Sequence, residues 1–319
     1  MSVNIKKDDF IYPYFVIDSR NKKKEIKSFP GIYRFSIDKL LRDISESRSL
    51  GIKKVLLFGI PKKKDSEASS AYSYDNVVAK AVKSIKKEFK DLTIITDVCL
   101  CAYTTYGHCG LLKKNTREID SKRTLSRLAD IALSHADAGA DIVAPSAMAK
   151  KQVLAIREAL DKEGYRHIKI MGYSAKFASN FYGPFREAAS SSPKFGDRSG
   201  YQLNFRDSGR ALKEIAQDIK EGADIVMVKP ALSYLDIIKE ASLKFNHSLA
   251  APCHSGLASA PLLAAFNVSG EYAFVKYGAK NGLWDEKRIV FEIITAIKRA
   301  GADLIISYHA KDIARWLNG

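Results

Sequence analysis

The chain has 319 residues, 46% hydrophobic and 28% charged, which is ample core material and excludes a largely disordered chain. Its formal charge of +16 would suit a polyanionic partner, yet the lysines are spread along amphipathic segments, with only brief clusters such as 22–24 and 62–64, the pattern of a solvated surface. No stretch reads as a signal peptide or membrane helix, the uncharged run 248–270 being broken by Pro252, His254 and Pro261, and four cysteines are too few for a disulfide scaffold; a cytoplasmic protein is expected.

In chain order, short β-branched runs at 11–17, 55–59, 93–100, 141–146, 168–173, 224–229, 263–269 and 303–308 predict strands. Helical apolar spacing falls between them at 36–49, 76–88, 121–139, 149–163, 209–221, 234–245 and 286–300. Alternating strands and helices predict an α/β fold, a TIM (β/α)8 barrel, with residues 1–319 as one catalytic domain behind a short N-terminal extension. A Gly-Ala-Asp signature at 139–141, 222–224 and 301–303 reads as a helix ending in a left-handed glycine just before a buried strand. Two longer loops, 181–202 and 247–261, interrupt the pattern; on the catalytic side of a barrel such loops serve as lids or touch substrate.

The sharpest chemical feature is Asp97-Val98-Cys99-Leu100-Cys101 followed by Gly107-His108-Cys109-Gly110. On a strand, residues two apart share a face, so Cys99 and Cys101 would present both sulfurs to one point and the following loop would return Cys109. Three thiolates suit Zn²⁺ with a coordination position left open for catalysis; the alternative is three buried cysteines without metal. His108 is either a further ligand or a neighbour. The second feature is a pair of lysines, Lys176 and Lys229, each closing an otherwise apolar strand. Two such amines held close in a desolvated pocket would favour the neutral form that attacks a ketone, whereas lysines on the surface or in ion pairs are the competing reading.

Taken together these motifs resemble the porphobilinogen synthase (delta-aminolevulinic acid dehydratase) family, in its zinc-dependent branch. The resemblance runs nearly end to end, through 12–16, 58–61, Lys64-Asp65, 97–110, 172–178, 182–188, 196–202, 222–231, 268–272 and 299–316. It implies condensation of two 5-aminolevulinate molecules to porphobilinogen with loss of two waters, an early step of tetrapyrrole and heme biosynthesis. Lys229 is then expected to form a Schiff base with the first substrate and Lys176 with the second. Ser269 and Tyr308 match the residues that hold the first carboxylate, and Arg186, Arg198 and Gln202 those that hold the second. Cys99, Cys101 and Cys109 match the zinc ligands. Asp97 matches an active-site carboxylate, read here as a proton-transfer group, and Ser174 a residue beside Lys176. Glu214 matches the position that binds an allosteric Mg²⁺ near a subunit interface; a solvated helix glutamate is its plainer reading. A homo-oligomer is expected, by family precedent an octamer.

Four departures qualify the match. The N-terminal arm is short, which bears on the octamer; Tyr106 stands where a histidine is common; 201–210 reads YQLNFRDSGR; and 247–261 contains an insertion carrying Cys253 and His254. Two rival readings remain: a class I Schiff-base aldolase on the same barrel, which needs one lysine and no thiolates, and a basic nucleic-acid-binding protein with a closed structural zinc site, for which no binding motif is present.

Overall fold

The computed structural model describes residues 3–246 and 260–319. Its strands are β1 (Phe10–Ile17), β2 (Lys23–Glu25), β3 (Tyr33–Phe35), β4 (Lys54–Ile60), β5 (Thr93–Val98), β6 (Ile142–Pro145), β7 (Lys169–Lys176), β8 (Ile225–Lys229), β9 (Leu262–Asn267) and β10 (Leu304–Ser307). β1 and β4 to β10 pair in parallel in that order, and β10 returns to β1 through Phe10↔Ile305 and Ile11↔Ile306, closing a TIM barrel. The expected fold class is therefore observed. β2 and β3 form an added antiparallel pair against the end of β1.

Strand alternation builds two cores. On β1, Phe10, Tyr12, Tyr14 and Val16 pack outward under the helices, while Ile11 and Phe15 point into the barrel. The interior is filled by Leu56, Phe58, Ile95, Met171, Met227, Phe266 and Ile306, so the barrel is a packed core and not a pore.

Helices α1 (Ile37–Ser49), α2 (Val77–Glu88), α3 (Ser121–Asp137), α4 (Gln152–Lys162), α5 (Gly183–Ala188), α6 (Ser208–Lys220), α7 (Leu235–Ala241), α8 (Ser269–Lys280), α9 (Glu286–Ala300) and α10 (Ala310–Trp316) cover the outside. Asn76, Asp120, Asp207 and Asp285 cap α2, α3, α6 and α9 by accepting backbone N–H bonds in the first turn. The Gly-Ala-Asp signatures do more than end helices. Gly139, Gly222 and Gly301 adopt φ of +97°, +98° and +117°. Asp141, Asp224 and Asp303 then accept the backbone N–H of Ile94, Ile170 and Leu263 at 2.6, 2.8 and 2.8 Å, stitching neighbouring strands at the barrel floor.

Several expectations need correction. β5 stops at Val98, so Cys99 and Cys101 sit in the turn beyond it and not on a strand. The segment 263–269 is a strand only to Asn267, and Ser269 opens α8. α8 escapes sequence reading because of its glycines, which are there for packing: a Cβ on Gly270 would lie 2.6 Å from the Phe181 Cα, and one on Gly278 1.9 Å from the Trp284 ring. The expected helix 234–245 is α7 continued by a π turn over Ser242–Asn246. The loop 181–202 contains α5. Of the insertion 247–261, all but the last two residues lie outside the described residues, Cys253 and His254 among them. No helix among the described residues is long and apolar enough to cross a membrane.

Candidate active site

The two lysines lie directly side by side: Lys176 of β7 is the register partner of Lys229 of β8. On β8, Ile225, Met227 and Lys229 share the inward face by simple alternation. On β7, Tyr173 points inward, so alternation alone would turn Lys176 out. A bulge between Gly172 and Ala175 inserts the extra residue that brings Lys176 in as well. Both lysines are buried, 6% and 4% exposed. The Lys176 Nζ donates to the Ser146 carbonyl at 2.6 Å. The Lys229 Nζ has an aromatic surround, 3.8 Å from the centroid of Phe266, 5.0 Å from Tyr173 and 5.2 Å from Phe185. Burial, reinforced by the Lys176 charge, pushes the Lys229 amine well below the usual lysine range, against the opposing pull of Asp97. That is the direction a nucleophilic amine requires.

Asp97, on β5, faces both lysines. Burial lifts its carboxyl to about 6, with the Ser146 hydroxyl, Lys176 and Lys229 holding it from rising further, and its Oδ1 has no hydrogen-bond partner.

Beyond Asp97 the chain turns through the cysteines. Cys99, Cys101 and Cys109 are buried, with sulfurs all within 4.8 Å of one another and 3.5 Å between Cys99 and Cys101. Thiolates tetrahedrally placed 2.3 Å from a Zn²⁺ would be about 3.8 Å apart, so the three residues fit a metal centre. Thiol hydrogen bonds from Cys101 and Cys99, aided by Arg198 and Lys176, hold Cys109 well below the usual thiol range, while those bonds and burial push Cys99 up. His108 is a neighbour and not a ligand: its Nε2 donates to the Phe195 carbonyl at 2.9 Å and its Nδ1 accepts from the Tyr201 hydroxyl at 3.2 Å. The Tyr106 hydroxyl donates to the carbonyls of Ser66 and Gly110, both at 3.2 Å.

The segment 181–202 folds back over this mouth. Gly107 is held at φ +75°, with no room for a Cβ beside the Ser192 carbonyl, and its own carbonyl accepts from Arg198 at 2.9 Å. Arg186, Arg198 and Gln202 line one cavity of about 640 Å³. The Nε atoms of both arginines and both amide atoms of Gln202 are buried without a partner, a costly arrangement unless a ligand completes it. The Tyr308 hydroxyl is likewise buried and unpartnered, whereas the Ser269 hydroxyl donates to the Phe181 carbonyl and accepts from the Phe185 N–H, both at 3.1 Å.

Two expected residues stand apart. Ser174 directs its hydroxyl to the Gly172 carbonyl at 3.3 Å and to Asp218 of α6, whose carboxyl burial raises to about 7. Glu214 lines a separate cavity with Arg210, Lys213, Asp218 and Glu221 and pairs with Arg210 at 3.5 Å. Sequence reading missed the aromatic surround of Lys229 and the Ser146 carbonyl. For Tyr173 and Phe266, inward parity on β7 and β9 was the available signal.

Fold and site define a class, a (β/α)8-barrel enzyme with paired lysines and a cysteine cluster at its C-terminal mouth. The chain belongs to the delta-aminolevulinic acid dehydratase family, whose model matches residues 1–316. Delta-aminolevulinic acid dehydratases of Staphylococcus aureus and Staphylococcus epidermidis are 45% and 46% identical over 315 residues, covering 99% of this chain and 93% of theirs. The crystal structure of the Toxoplasma gondii delta-aminolevulinic acid dehydratase (porphobilinogen synthase), in complex with the reaction product porphobilinogen, matches with a TM-score of 0.92 at 38% identity, covering 98% of this chain and 86% of that one.

Proposed function

We propose that the chain condenses two molecules of 5-aminolevulinate to porphobilinogen with loss of two waters. The observation that carries this reading is the register pairing of two buried lysines, one of which burial and the other's charge push towards its uncharged amine. Lys229 attacks the ketone of the first substrate and Lys176 that of the second, each imine releasing one water. C–C and C–N bond formation between the two molecules then displaces both lysine amines, and loss of a ring proton completes porphobilinogen. Ser269 and Tyr308 hold the first carboxylate, and Arg186, Arg198 and Gln202 hold the second. Holding both molecules by both ends turns a bimolecular condensation into a local one. Asp97, facing both amines, exchanges protons with them through Oδ1. Segment 181–202 acts as a lid that excludes water. Cys99, Cys101 and Cys109 would hold Zn²⁺, which supplies Lewis-acid polarisation of the second substrate. Ser174 supports the Lys176 strand from outside, and Glu214 is the candidate residue for an allosteric Mg²⁺. The chain works as a cytoplasmic homo-oligomer, its number of subunits readable by light scattering.

The test is porphobilinogen formation from 5-aminolevulinate by wild type, by wild type with a zinc chelator, and by Lys229→Ala. Loss of product in the latter two, with zinc restoring the chelated sample, is the expected result. A zinc-replete wild type that makes no product overturns the assignment of activity.

A further inference from the structure

The mouth contains a second set of buried polar groups that the condensation itself does not use. Glu271, in the first turn of α8, is 1% exposed. Its Oε1 accepts from the Leu232 N–H at 2.7 Å, and its Oε2 accepts from the Val268 N–H at 2.7 Å and from the Asn267 side-chain amide at 3.1 Å. The Asn267 Oδ1 accepts from the Ser307 hydroxyl at 2.9 Å, and the Ser307 oxygen accepts from the His309 N–H at 3.1 Å. Asn267 and Ser307 are as buried as Glu271.

This chain of bonds joins three strand ends. It starts at Leu232, three residues beyond Lys229; it continues through the end of β9 on both sides of Ser269; and it finishes on the two residues that flank Tyr308. A carboxylate out of water is expensive unless its lone pairs are filled, and here three donors from two separate segments fill them. Capping of α8 accounts for the Val268 bond alone. The Leu232 bond to Glu271 and the Ser307 bond to Asn267 reach across strands and have no part in starting a helix.

We infer that Glu271, Asn267 and Ser307 are positioning residues that set the distance between the Lys229 amine and the Ser269–Tyr308 pair, and thereby tune capture of the first 5-aminolevulinate. The inference rests on the reading that Ser269 and Tyr308 hold that substrate's carboxylate. A keto acid bound covalently at its ketone and hydrogen-bonded at its carboxylate has a fixed span, so its two anchors must be held at a matching separation. Ser269 and Tyr308 cannot do this alone, since neither bonds to the segment that carries Lys229.

The experiment traps imines with borohydride at rising 5-aminolevulinate concentration and quantifies the Lys229 and Lys176 adducts separately by peptide mass. Glu271→Gln places an amide donor against a backbone donor, and Ser307→Ala removes the last link with little change in volume. In both variants the half-saturating concentration for the Lys229 adduct is expected to rise about tenfold, with the Lys176 adduct unchanged, and Ser307→Thr is expected to restore the wild-type value. Should Glu271→Gln fail to fold, Ser307→Ala decides. An unchanged Lys229 curve, or equal weakening at both lysines, overturns the positioning role. Ser269→Ala and Tyr308→Phe are run alongside. If those two leave the Lys229 curve unmoved, the carboxylate assignment falls; if they shift it and the network variants do not, the network alone falls.

Discussion

His135, on α3, shows how a buried side chain contributes to the acid sensitivity of the fold. It is 1% exposed, and neither ring nitrogen has a hydrogen-bond partner. Burial pushes its pKa down to about 3 from the ordinary 6.5. The folded state thus requires neutral imidazole, while the unfolded chain gains a proton below pH 6.5. Stability is complete above that pH and is lost as pH falls from 6.5 towards 3, by about 1.4 kcal/mol per unit. His135→Leu is expected to match wild type at pH 7.5 and to exceed it by about 2 kcal/mol at pH 5, read by denaturant unfolding at both pH values. Equal pH slopes in the two proteins would refute this. The same scale shows what residue identity reveals: Lys229 and the cysteines were legible because their chemistry is rare in apolar surroundings. The Ser146 carbonyl was not, because a main-chain acceptor leaves no mark in the sequence.

At the scale of elements, periodicity was legible wherever a strand or helix had one polar face. It failed where packing replaced pattern. α8 carries glycines that accommodate the Phe181 backbone and Trp284, and the bulge in β7 reverses the parity by which Lys176 would have been placed outward. The Gly-Ala-Asp repeats were read as helix endings, and their carboxylates turn out to bridge strands. For Asp224, whose carboxylate accepts the Ile170 N–H at 2.8 Å while its own N–H donates to the Ile170 carbonyl at 3.0 Å, removal leaves a partly buried donor unfilled. Asp224→Ala is expected to cost about 2 kcal/mol in unfolding free energy, and Asp224→Asn, which keeps an acceptor, well under half of that. Equal losses would mean that charge, not the hydrogen bond, matters there.

At the scale of the whole molecule, closure of the barrel collects residues scattered from 97 to 308 at one end, the C-terminal mouth to which the order of strands already pointed. What order could not show is how the cysteine turn meets the segment 181–202. Gly107, His108 and Cys109 are bonded to Arg198, Phe195 and Tyr201, so the turn that gathers the sulfurs is also the landing surface of the segment above it. Two binding events coupled through one set of contacts change each other's affinity by the same factor, and a turn held in its sulfur-gathering shape favours both. Metal in the turn should then steady the cover over the substrates, and substrate beneath the cover should slow escape of the metal. With excess chelator, the half-life of zinc loss is expected to lengthen at least several-fold when 5-aminolevulinate or product is present, and Tyr201→Phe to shrink that protection. A half-life indifferent to ligand would show the two to be independent. On this expectation the protein would lose a metal held in the turn most readily when idle and least readily when at work.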